Sequence, residues 1–518
     1  MQPDTTPKHL HRYADWKAPQ ADGQVLVWPE PERLLQDTRD NRRRLDGMHE
    51  LRFAGRGVPE LRAEMRAFLG FTSDTTVVAT GHQAELYHPG VWAKSALVDA
   101  VARRLSAAGP AQAVHVAVDT DAPKHLHLRW PGTSMPLSDD ERLDQHDWLN
   151  LAAPPTPGHV QALEQVLMDA EAGWSFSPML PQVLAEMRRL SMDRADVPSM
   201  IVNATHSLDW DLGLRQHAVL LTPLLETAGW GCFLLHVMAN AESFCSHYNA
   251  ALAAYRREAG ITSPTRPMPD LAGDGAGIEL PFWLDDLAEG RRSRPRLRRS
   301  GEGWQLRLGE ETFDVPASDD ADLSHVQALQ LLLRRTRHRL APRALTLTTF
   351  LRLLVCDQFV HGIGGGRYDQ VTDRIMAGFF GIDPPRFAVA TATLFFPEAL
   401  GRERVCMPCL KREGHRLQHA VLGGRKREIA LAIEHAPRHG RERAKLFAQM
   451  HAELDEAAAD SPALADWQQR IRHARTRLQE EQALFNRELF YALQPKPRLA
   501  GIIRQYREAF DVQQPEGT

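Results

Sequence analysis

One stretch constrains the fold of this chain most, because an apolar run, a polar loop and an amphipathic segment follow one another directly. Val77–Thr80 predicts a buried strand, and Val91–Leu105 predicts a helix. The loop between them holds two histidines and a glutamine and ends at Gly90. In α/β proteins such a loop is the usual anion site, because free backbone N–H groups and the helix dipole favour negative charge. The loop is therefore the first candidate for a functional site.

Composition places the chain among ordinary globular proteins. Of its 518 residues, 43% are hydrophobic and 25% are charged, and the net charge of −4 provides no basic field for nucleic acid. No stretch is apolar over the ~20 residues that a membrane span needs. The polar start at Met1–Asp15 has no secretory leader pattern. We therefore expect a cytoplasmic protein that binds neither nucleic acid nor a membrane.

Apolar runs alternate with helical spacing along the first half of the chain. The runs that predict strands are Val77–Thr80, Val114–Asp119, Met200–Ala204 and Cys232–Val237. Helices are predicted between them, from Val91 onward and over Leu212–Thr227. This alternation predicts an α/β protein with a parallel, doubly wound, Rossmann-like sheet.

The predicted secondary structure and the composition change at three positions, which predicts four segments. They are residues 1–260 as the first part of the core, 261–322 as a β-rich insertion, 323–437 as the second part of the core, and 438–518 as a helical hairpin. The hairpin is predicted from near-heptad spacing of apolar residues in Arg441–Ala459 and Ala463–Leu493. An antiparallel hairpin of this kind is expected either to protrude or to form a homodimer through the C-terminal helices.

The first candidate loop brings five residues that suit an anionic ligand. They are Gly81, His82, Gln83, His88 and Lys94. A lysine in the first turns of a helix adds a point charge to an anion held at the helix N-terminus. The alternative is structural, with the histidines capping the loop backbone and the lysine in solvent.

A second candidate follows the next predicted strand, where Asp119 and Asp121 flank a threonine. The carboxyl ends of parallel strands are where such sheets bind ligands. Two carboxylates there could hold Mg²⁺, or orient a hydroxyl or an amine. The Asp-Thr-Asp pattern also occurs in nucleotide-sugar glycosyltransferases, which makes that class an alternative. His125 and His127 follow, but their alternation with apolar residues is also typical of one face of a short strand.

A third candidate is the glycine-dense segment from His361 to Asp369. Its candidate ligand contacts are His361, Gly362, Gly364, Gly365 and Tyr368, before a helix predicted from Gln370. Glycines let the backbone approach a ligand closely, and the histidine could transfer a proton. The glycine spacing does not match the dinucleotide-binding motif, and a tight turn without a ligand is the alternative.

Five cysteines are too few, and odd in number, for a disulfide framework. Cys406, Cys409, His415 and His419 bring four potential zinc ligands into one short segment. The short gap between Cys409 and His415 and the intervening basic residues disfavour zinc. We expect no metal site here.

A resemblance to a known family rests on the first loop. Thr80-Gly81-His82-Gln83-Ala84, followed by Lys94, resembles the Thr-Gly-Gln-Gln-Ala loop of the bacillithiol biosynthesis enzymes, the putative cysteine-adding ligases. The strand ending at Asp121, the segment from Ala341 to Tyr368 and the long C-terminal helices are similar to that family in the same order. The matching positions are Gly81, Gln83, Lys94, Asp119, Asp121, Gly362, Gly364 and Tyr368.

The resemblance implies a Rossmann-like core, a dimerising coiled coil, and a cleft for a nucleotide (ATP or ADP) and a small carboxylated substrate. The chain departs from the family where His82 replaces a glutamine, Leu347 an arginine, and Gly365-Gly366-Arg367 a Glu-Ile-Ala sequence. These changes surround the expected pocket. They favour a divergent relative that acts on a different small substrate.

The sequence thus predicts a ligase- or transferase-like enzyme that joins a small amine or amino acid to a small acceptor. His82 or His361 would transfer the proton, and Asp119 and Asp121 would orient the amine or a metal. The alternatives are a metal-dependent glycosyltransferase and a non-catalytic ligand-binding or scaffold protein whose working surface is the hairpin. An enzyme requires the three candidate loops to line one cleft.

Overall fold

The fold is described from a computed structural model covering residues 16–193, 195–274, 277–301, 303–402, 405–459 and 461–512. Its strands are β1 Val25–Trp28, β2 Arg52–Phe53, β3 Arg56–Gly57, β4 Thr76–Gln83, β5 Ala111–Val118, β6 His127–Trp130, β7 Thr133–Pro136, β8 Gln216–Leu220, β9 Gly273–Asp274, β10 Gly277–Glu279, β11 Phe282–Asp286, β12 Arg291–Ser293, β13 Arg296–Ser300, β14 Gly303–Leu308, β15 Glu311–Val315, β16 His338–Pro342, β17 Gln358–His361 and β18 Phe387–Ala392. Its helices are α1 Pro31–Asp46, α2 Val58–Phe68, α3 Pro89–Ser106, α4 Pro157–Glu171, α5 Leu180–Met192, α6 Val197–Asp211, α7 Leu221–Leu224, α8 Ala228–Ala239, α9 Ala241–Glu258, α10 Leu323–Arg335, α11 Ala344–Phe350, α12 Ile363–Phe379, α13 Met407–Val421, α14 Gly423–His435, α15 Arg441–Ala459, α16 Pro462–Leu484 and α17 Lys496–Ala509.

The largest sheet of the described residues has six strands and is mostly parallel, which confirms the predicted α/β class. Its strand order is β1-β18-β17-β4-β5-β8. All neighbours are parallel except β1, which lies antiparallel to β18 at one edge. The predicted strands at Val77–Thr80 and Val114–Asp119 are β4 and β5, but β4 continues through Gly81–Gln83, which were predicted to lie in the loop, because these residues pair with the end of β5. Their buried β-branched side chains suit a sheet that is covered on both faces.

The direction of the connections reverses in the middle of this sheet. β4 leads through α3 to β5 on one side, whereas β17 leads through α12 to β18 on the other side. β4 and β17 are neighbours, with Gln358 opposite Val78. Open α/β sheets bind their ligands at such a reversal, in the crevice beyond the carboxyl ends of the strands. The first and third candidate loops both begin there.

A buried ionic network ties the starts of β4 and β17 together. The carboxylate of Asp357 accepts hydrogen bonds from Arg62, from Arg66 at 3.0 Å and from the backbone N–H of Val77 at 2.7 Å. Both arginines come from α2, and both side chains are buried. The backbone N–H of Asp357 in turn donates to the carbonyl oxygen of Val77 at 2.8 Å. This network fixes the two strands that carry the candidate loops.

Two predicted strands are wrong, because a helix occupies each position. Met200–Ala204 lies inside α6, whose N-cap Asp196 accepts a hydrogen bond from the N–H of Ser199 at 2.8 Å. Cys232–Val237 lies inside α8, which is capped by Thr227. Short apolar runs do not distinguish a buried strand from a helix buried on most sides, so local periodicity was not sufficient.

The helix predicted over Leu212–Thr227 is wrong in a related way. This segment holds β8 at Gln216–Leu220, followed by the single turn of α7. β8 pairs in parallel with β5, with Ala113 opposite Gln216. The edge pairing of β8 outweighs the weak helical spacing of this segment.

The strands between β8 and β17 in the sequence, β9 to β16, form two antiparallel sheets. β15-β14-β13-β10-β9 form one sheet, and β12-β11-β16 form another. Leu297 and Leu306, on neighbouring strands of the first sheet, are buried in the main hydrophobic core. The alternation of Trp304-Gln305-Leu306-Arg307-Leu308 reflects a sheet with one buried face.

The chain separates into two compact units. The first comprises the chain up to Arg129, Thr133–Leu394 and the chain from Arg487, and the second comprises Trp130–Gly132 and Phe395–Asn486. In the first unit, α17 packs against α3. In the second unit, α13 packs against α15 and α16, and α14 packs against α15.

The predicted helices of the C-terminal hairpin are present as α15 and α16, but α16 ends at Leu484. The segment predicted to run to Leu493 as one helix instead ends in a separate 3-10 turn at Tyr491–Leu493. The division of the chain into four segments and the homodimer stay predictions. None of the described helices is long and apolar enough to cross a membrane.

Candidate active site at the reversal of the sheet

A cavity of about 900 Å³ lies in the first unit, beyond the carboxyl ends of β4, β5, β17 and β18. The predicted site residues that line it are Gly81, His82, Gln83, His88, Lys94, Asp121, His361, Gly362, Gly364, Gly365 and Tyr368. The three candidate loops therefore meet at one cleft. Parallel strands end at the same sheet edge, so residues far apart in sequence converge there.

Asp119 is the predicted site residue that does not line the cavity. It is fully buried, and its carboxylate accepts a hydrogen bond from the backbone N–H of Thr222 at 2.9 Å. Burial raises the pKa of this carboxyl above its ordinary value. Asp121 lies at the cavity and accepts a hydrogen bond from the amide of Gln83 at 2.7 Å. The two carboxylates therefore do not line the cavity together.

Among the described residues, no group of three or more His, Cys, Asp or Glu side chains is arranged to hold a metal ion. In the second unit, Cys406 and Cys409 form a disulfide, so these bonded sulfurs are not available as thiolate ligands. The cysteine count did not predict this bond. The side chain of His419, the last of the four potential zinc ligands, lies outside the described part of the chain.

Lys94 enters the cavity from the second turn of α3. Its side chain is buried, and Nζ donates to the carbonyl oxygen of Gly81 at 2.7 Å. Burial lowers the pKa of Lys94 to about 7, against the opposing charge of Glu85. The ammonium group is therefore partly deprotonated at neutral pH. Its charge can respond to a bound anion.

The two histidines of the first loop are neutral at physiological pH. His88 is the N-cap of α3, and its Nδ1 accepts the backbone N–H of Gly90 at 3.1 Å. Burial lowers the pKa of His88 to about 3, so this nitrogen stays an acceptor. Burial also lowers the pKa of His82 well below its ordinary value, and the charge of Lys94 adds to the effect. The structural alternative, in which a histidine caps the loop backbone, holds for His88.

His361 differs from these histidines because it is paired with a buried carboxylate. Its Nε2 lies 2.9 Å from Oδ2 of Asp369, in the second turn of α12. Burial raises the pKa of Asp369, but the charge of the adjacent Arg352 guanidinium and the contacts with His361 together outweigh burial and hold this pKa well below its ordinary value. An ionised carboxylate only accepts hydrogen bonds, so Nε2 of His361 carries the proton. In the neutral imidazole with this tautomer, Nδ1 has the free lone pair of a general base.

The glycines of the third loop belong to a helix, which corrects the predicted helix start at Gln370. α12 begins at Ile363, with Gly362 as an N-cap that has no side chain to accept the first N–H groups. A Cβ at Gly365 would lie 2.9 Å from Nδ1 of His361. A Cβ at Gly366 would lie 2.7 Å from Cγ2 of Val389. These two glycines therefore allow the helix to begin against its neighbours, which the sequence alone did not show.

Substitution at Gly365 should disable the site, whereas substitution at Gly364 should not. Gly365→Ala forces Nδ1 of His361 to move, whereas a Cβ at Gly364 meets nothing within 4 Å. We expect Gly365→Ala to lower turnover at least about tenfold, since small displacements of a reacting group are costly. Gly364→Ala should stay within about twofold. Equal activity of the two variants would contradict the assigned position of Nδ1.

Positive charge surrounds the cavity. Its cationic lining residues are Lys17, Lys94, Lys124, Arg367 and Arg487, against the acidic Asp121 and Glu488. The N-terminal ends of α3 and α12 also line it, through Gly90 and Ile363. Two helix dipoles and an excess of cations favour an anionic ligand. Lys17, Lys124 and Arg487 were not predicted, because no local sequence pattern links them to the loops.

Comparison with known proteins does not assign this chain to a family. No protein-family model matches this chain, and no curated protein matches it in sequence. The resemblance to the bacillithiol enzymes stays a prediction from the quoted residues. The function must therefore be inferred from the cavity.

Proposed function

We propose that this protein is a ligase- or transferase-like enzyme that joins a small amine or amino acid to a small anionic acceptor. The observation that carries the proposal is the His361–Asp369 pair at a cavity with cationic walls. A base beside an anion site is the arrangement that such a transfer requires.

The cationic walls would hold the acceptor. A phosphate or carboxylate at the N-terminal ends of α3 and α12 would accept backbone N–H groups and lie near Lys94. Lys124 and Arg487 would add charge from the two sides of the cavity. The anion would orient the electrophilic centre of the acceptor toward His361.

The His361–Asp369 pair would then move the proton. As the amine nitrogen attacks the acceptor, Nδ1 of His361 takes the proton from that nitrogen. The bond to the leaving group breaks, and the leaving group keeps the electron pair. The imidazolium is stabilised by Asp369 until it returns the proton to the leaving group.

The resemblance narrows this proposal. It supports cysteine or a related amino acid as the amine, and ATP or ADP as a bound nucleotide. It also supports a Rossmann-like core and a homodimer formed through a coiled coil of the C-terminal helices. The polar residues at Met1–Asp15 support a cytoplasmic location instead. The departures at His82 and Gly365 favour a substrate different from that of the family.

Binding of anions tests the proposal first. We expect sulfate, ADP or ATP to raise the melting temperature and to give measurable heat in calorimetry. Lys17→Gln combined with Lys124→Gln should weaken this binding at least about tenfold, since two exposed charges at the cavity are lost. Lys496→Gln, an exposed lysine on α17, is the matched control and should leave binding unchanged.

Measurement of enzymatic turnover is the second test of the proposed function. Incubation of the protein with cysteine or other amino acids, a nucleotide and small acceptors should give a condensed product detectable by mass spectrometry. Anion binding without any product would favour the non-catalytic binding protein. No binding of any anion would overturn the proposal.

Sulfate affinity should fall as the pH rises through about 7, because Lys94 then loses its charge. Sulfate is the suitable probe, since its own charge is constant near neutral pH. Calorimetry on Lys94→Gln should show weaker binding without this pH dependence. If Lys94→Gln retains the wild-type pH dependence of sulfate affinity, the assignment of that dependence to Lys94 is contradicted.

Lys94 also makes the folding stability depend on pH. Because burial depresses the pKa of Lys94 from 10.5, the contribution of Lys94 to folding stability is lost as pH falls from 10.5 to about 7.

A further inference from the structure

A second cavity, of about 370 Å³, lies in the first unit beside the start of β18. Three of its walls are aromatic rings in mutual contact, Trp16, Trp28 and Phe387. The ring centroids of Trp16 and Trp28 are 4.9 Å apart, and each lies 6.1 Å from that of Phe387. Such walls suit a flat ligand, because aromatic rings offer both stacking and edge-to-face contacts.

Two buried hydrogen-bond donors of this cavity lack acceptors. Nε1 of Trp16 and Nε2 of Gln370 have no hydrogen-bond partner within the described part of the chain. Trp16 is 1% exposed and Gln370 is 3% exposed. Burial of an N–H group without an acceptor destabilises the protein. A ligand with acceptor atoms at these positions would supply the missing hydrogen bonds and remove that cost. The ligand should therefore present acceptors at its edge.

The buried charges around this cavity are already compensated. Asp37 accepts hydrogen bonds from Arg33 at 2.9 Å and from Arg386 at 2.6 Å. Asp373 accepts one from Arg352 at 2.6 Å, and Arg352 also pairs with Asp369. The lining also includes the exposed carboxylate of Glu30. The cavity therefore has no cationic excess and favours a ligand without negative charge. The large cavity, with its cationic excess, favours an anion.

We infer that the second cavity binds a flat, neutral heteroaromatic ring that accepts hydrogen bonds from Trp16 and Gln370. Trp16 lines both cavities, so the ring would lie beside the candidate active site. Phe387 also contacts His361 edge to face, with ring centroids 5.3 Å apart. A ring bound on this cluster would therefore be close to the proposed base. The inference goes beyond the proposed reaction and does not require it.

Calorimetry and saturation-transfer NMR with adenosine, guanosine and nicotinamide test this inference. We expect at least one of these neutral probes to bind. Gln370→Leu should weaken its binding about tenfold or more, because one donor is lost at similar side-chain volume. Trp28→Ala should weaken it similarly, whereas Trp28→Phe should restore binding to within about threefold. The aromatic rescue separates ring recognition from a general loss of structure.

Sulfate binding provides the control for the fold and for the large cavity. Gln370→Leu should bind sulfate as the wild type does, and Lys94→Gln should bind the ring probe as the wild type does. Loss of sulfate binding alone would count against the proposed function and not against the ring site. If none of the three probes binds, or if binding survives both Gln370→Leu and Trp28→Ala, the inference is overturned.

Discussion

His361→Gln should lower kcat about a hundred- to ten-thousandfold, the range expected when a general base is removed. Glutamine keeps a polar side chain of similar size, but it has no titratable nitrogen to accept the proton. Asp369→Asn should lower kcat as well, because an amide does not stabilise the imidazolium and can orient the wrong tautomer. The measurement is the pH profile of kcat and KM for the substrate pair found by the turnover screen.

His82→Gln is the matched control. His82 lines the same cavity, and the bacillithiol enzymes that the chain resembles carry glutamine at this position. We expect its kcat to stay within about tenfold of the wild type, because burial keeps His82 neutral and its Nδ1 lies 3.4 Å from the nearest carboxylate oxygen, on Glu85, compared with 2.9 Å between His361 and Asp369. If His82→Gln is inactive and His361→Gln is active, the roles of the two histidines are reversed.

The tautomer of His361 can be measured without a substrate. Long-range proton–nitrogen NMR spectra should show the proton on Nε2, because the partner Asp369 is ionised. In Asp369→Asn the preference should weaken or invert. A proton found on Nδ1 in the wild-type protein would exclude this nitrogen as the base of the resting enzyme.

The sequence located the cavity because of a general property of parallel sheets. The residues that begin at Gly81, Asp119 and His361 are distant in sequence, yet each set lies at or just beyond the carboxyl end of a strand, at the same edge of one sheet. The strand–loop–helix pattern was therefore sufficient to predict where the ligand-binding side chains meet. It did not predict which of them face the cavity, as the buried Asp119 shows.

The missed features depend on contacts between distant segments or on helix boundaries. The pairing of His361 with Asp369 follows only if α12 begins at Ile363, and three consecutive glycines argue locally against a helix there. The helices α6 and α8 were mistaken for strands because their apolar runs are short. Lys17 and Arg487 reach the cavity from the two ends of the chain, which no local pattern indicates.

Asp357→Ala should produce the largest loss of stability. Removal of this carboxylate leaves the guanidinium groups of Arg62 and Arg66 buried without their main counter-charge and leaves the N–H of Val77 without an acceptor. Breaking a buried ion pair on one side costs about 3–5 kcal/mol. Urea denaturation should therefore show the free energy of unfolding reduced by about this amount.

Asp46→Asn is the matched control for this prediction. Asp46 contacts the same two arginines, at 3.3 Å and 3.9 Å, but its side chain is 38% exposed. An exposed ion pair contributes about 0–1 kcal/mol, so this variant should unfold near the wild-type urea concentration. If the two variants lose equal stability, burial of the Asp357 network is not what stabilises the junction of β4 and β17. If only Asp357→Ala is destabilised and it also loses sulfate binding below its unfolding transition, the network positions the candidate loops as well as the strands.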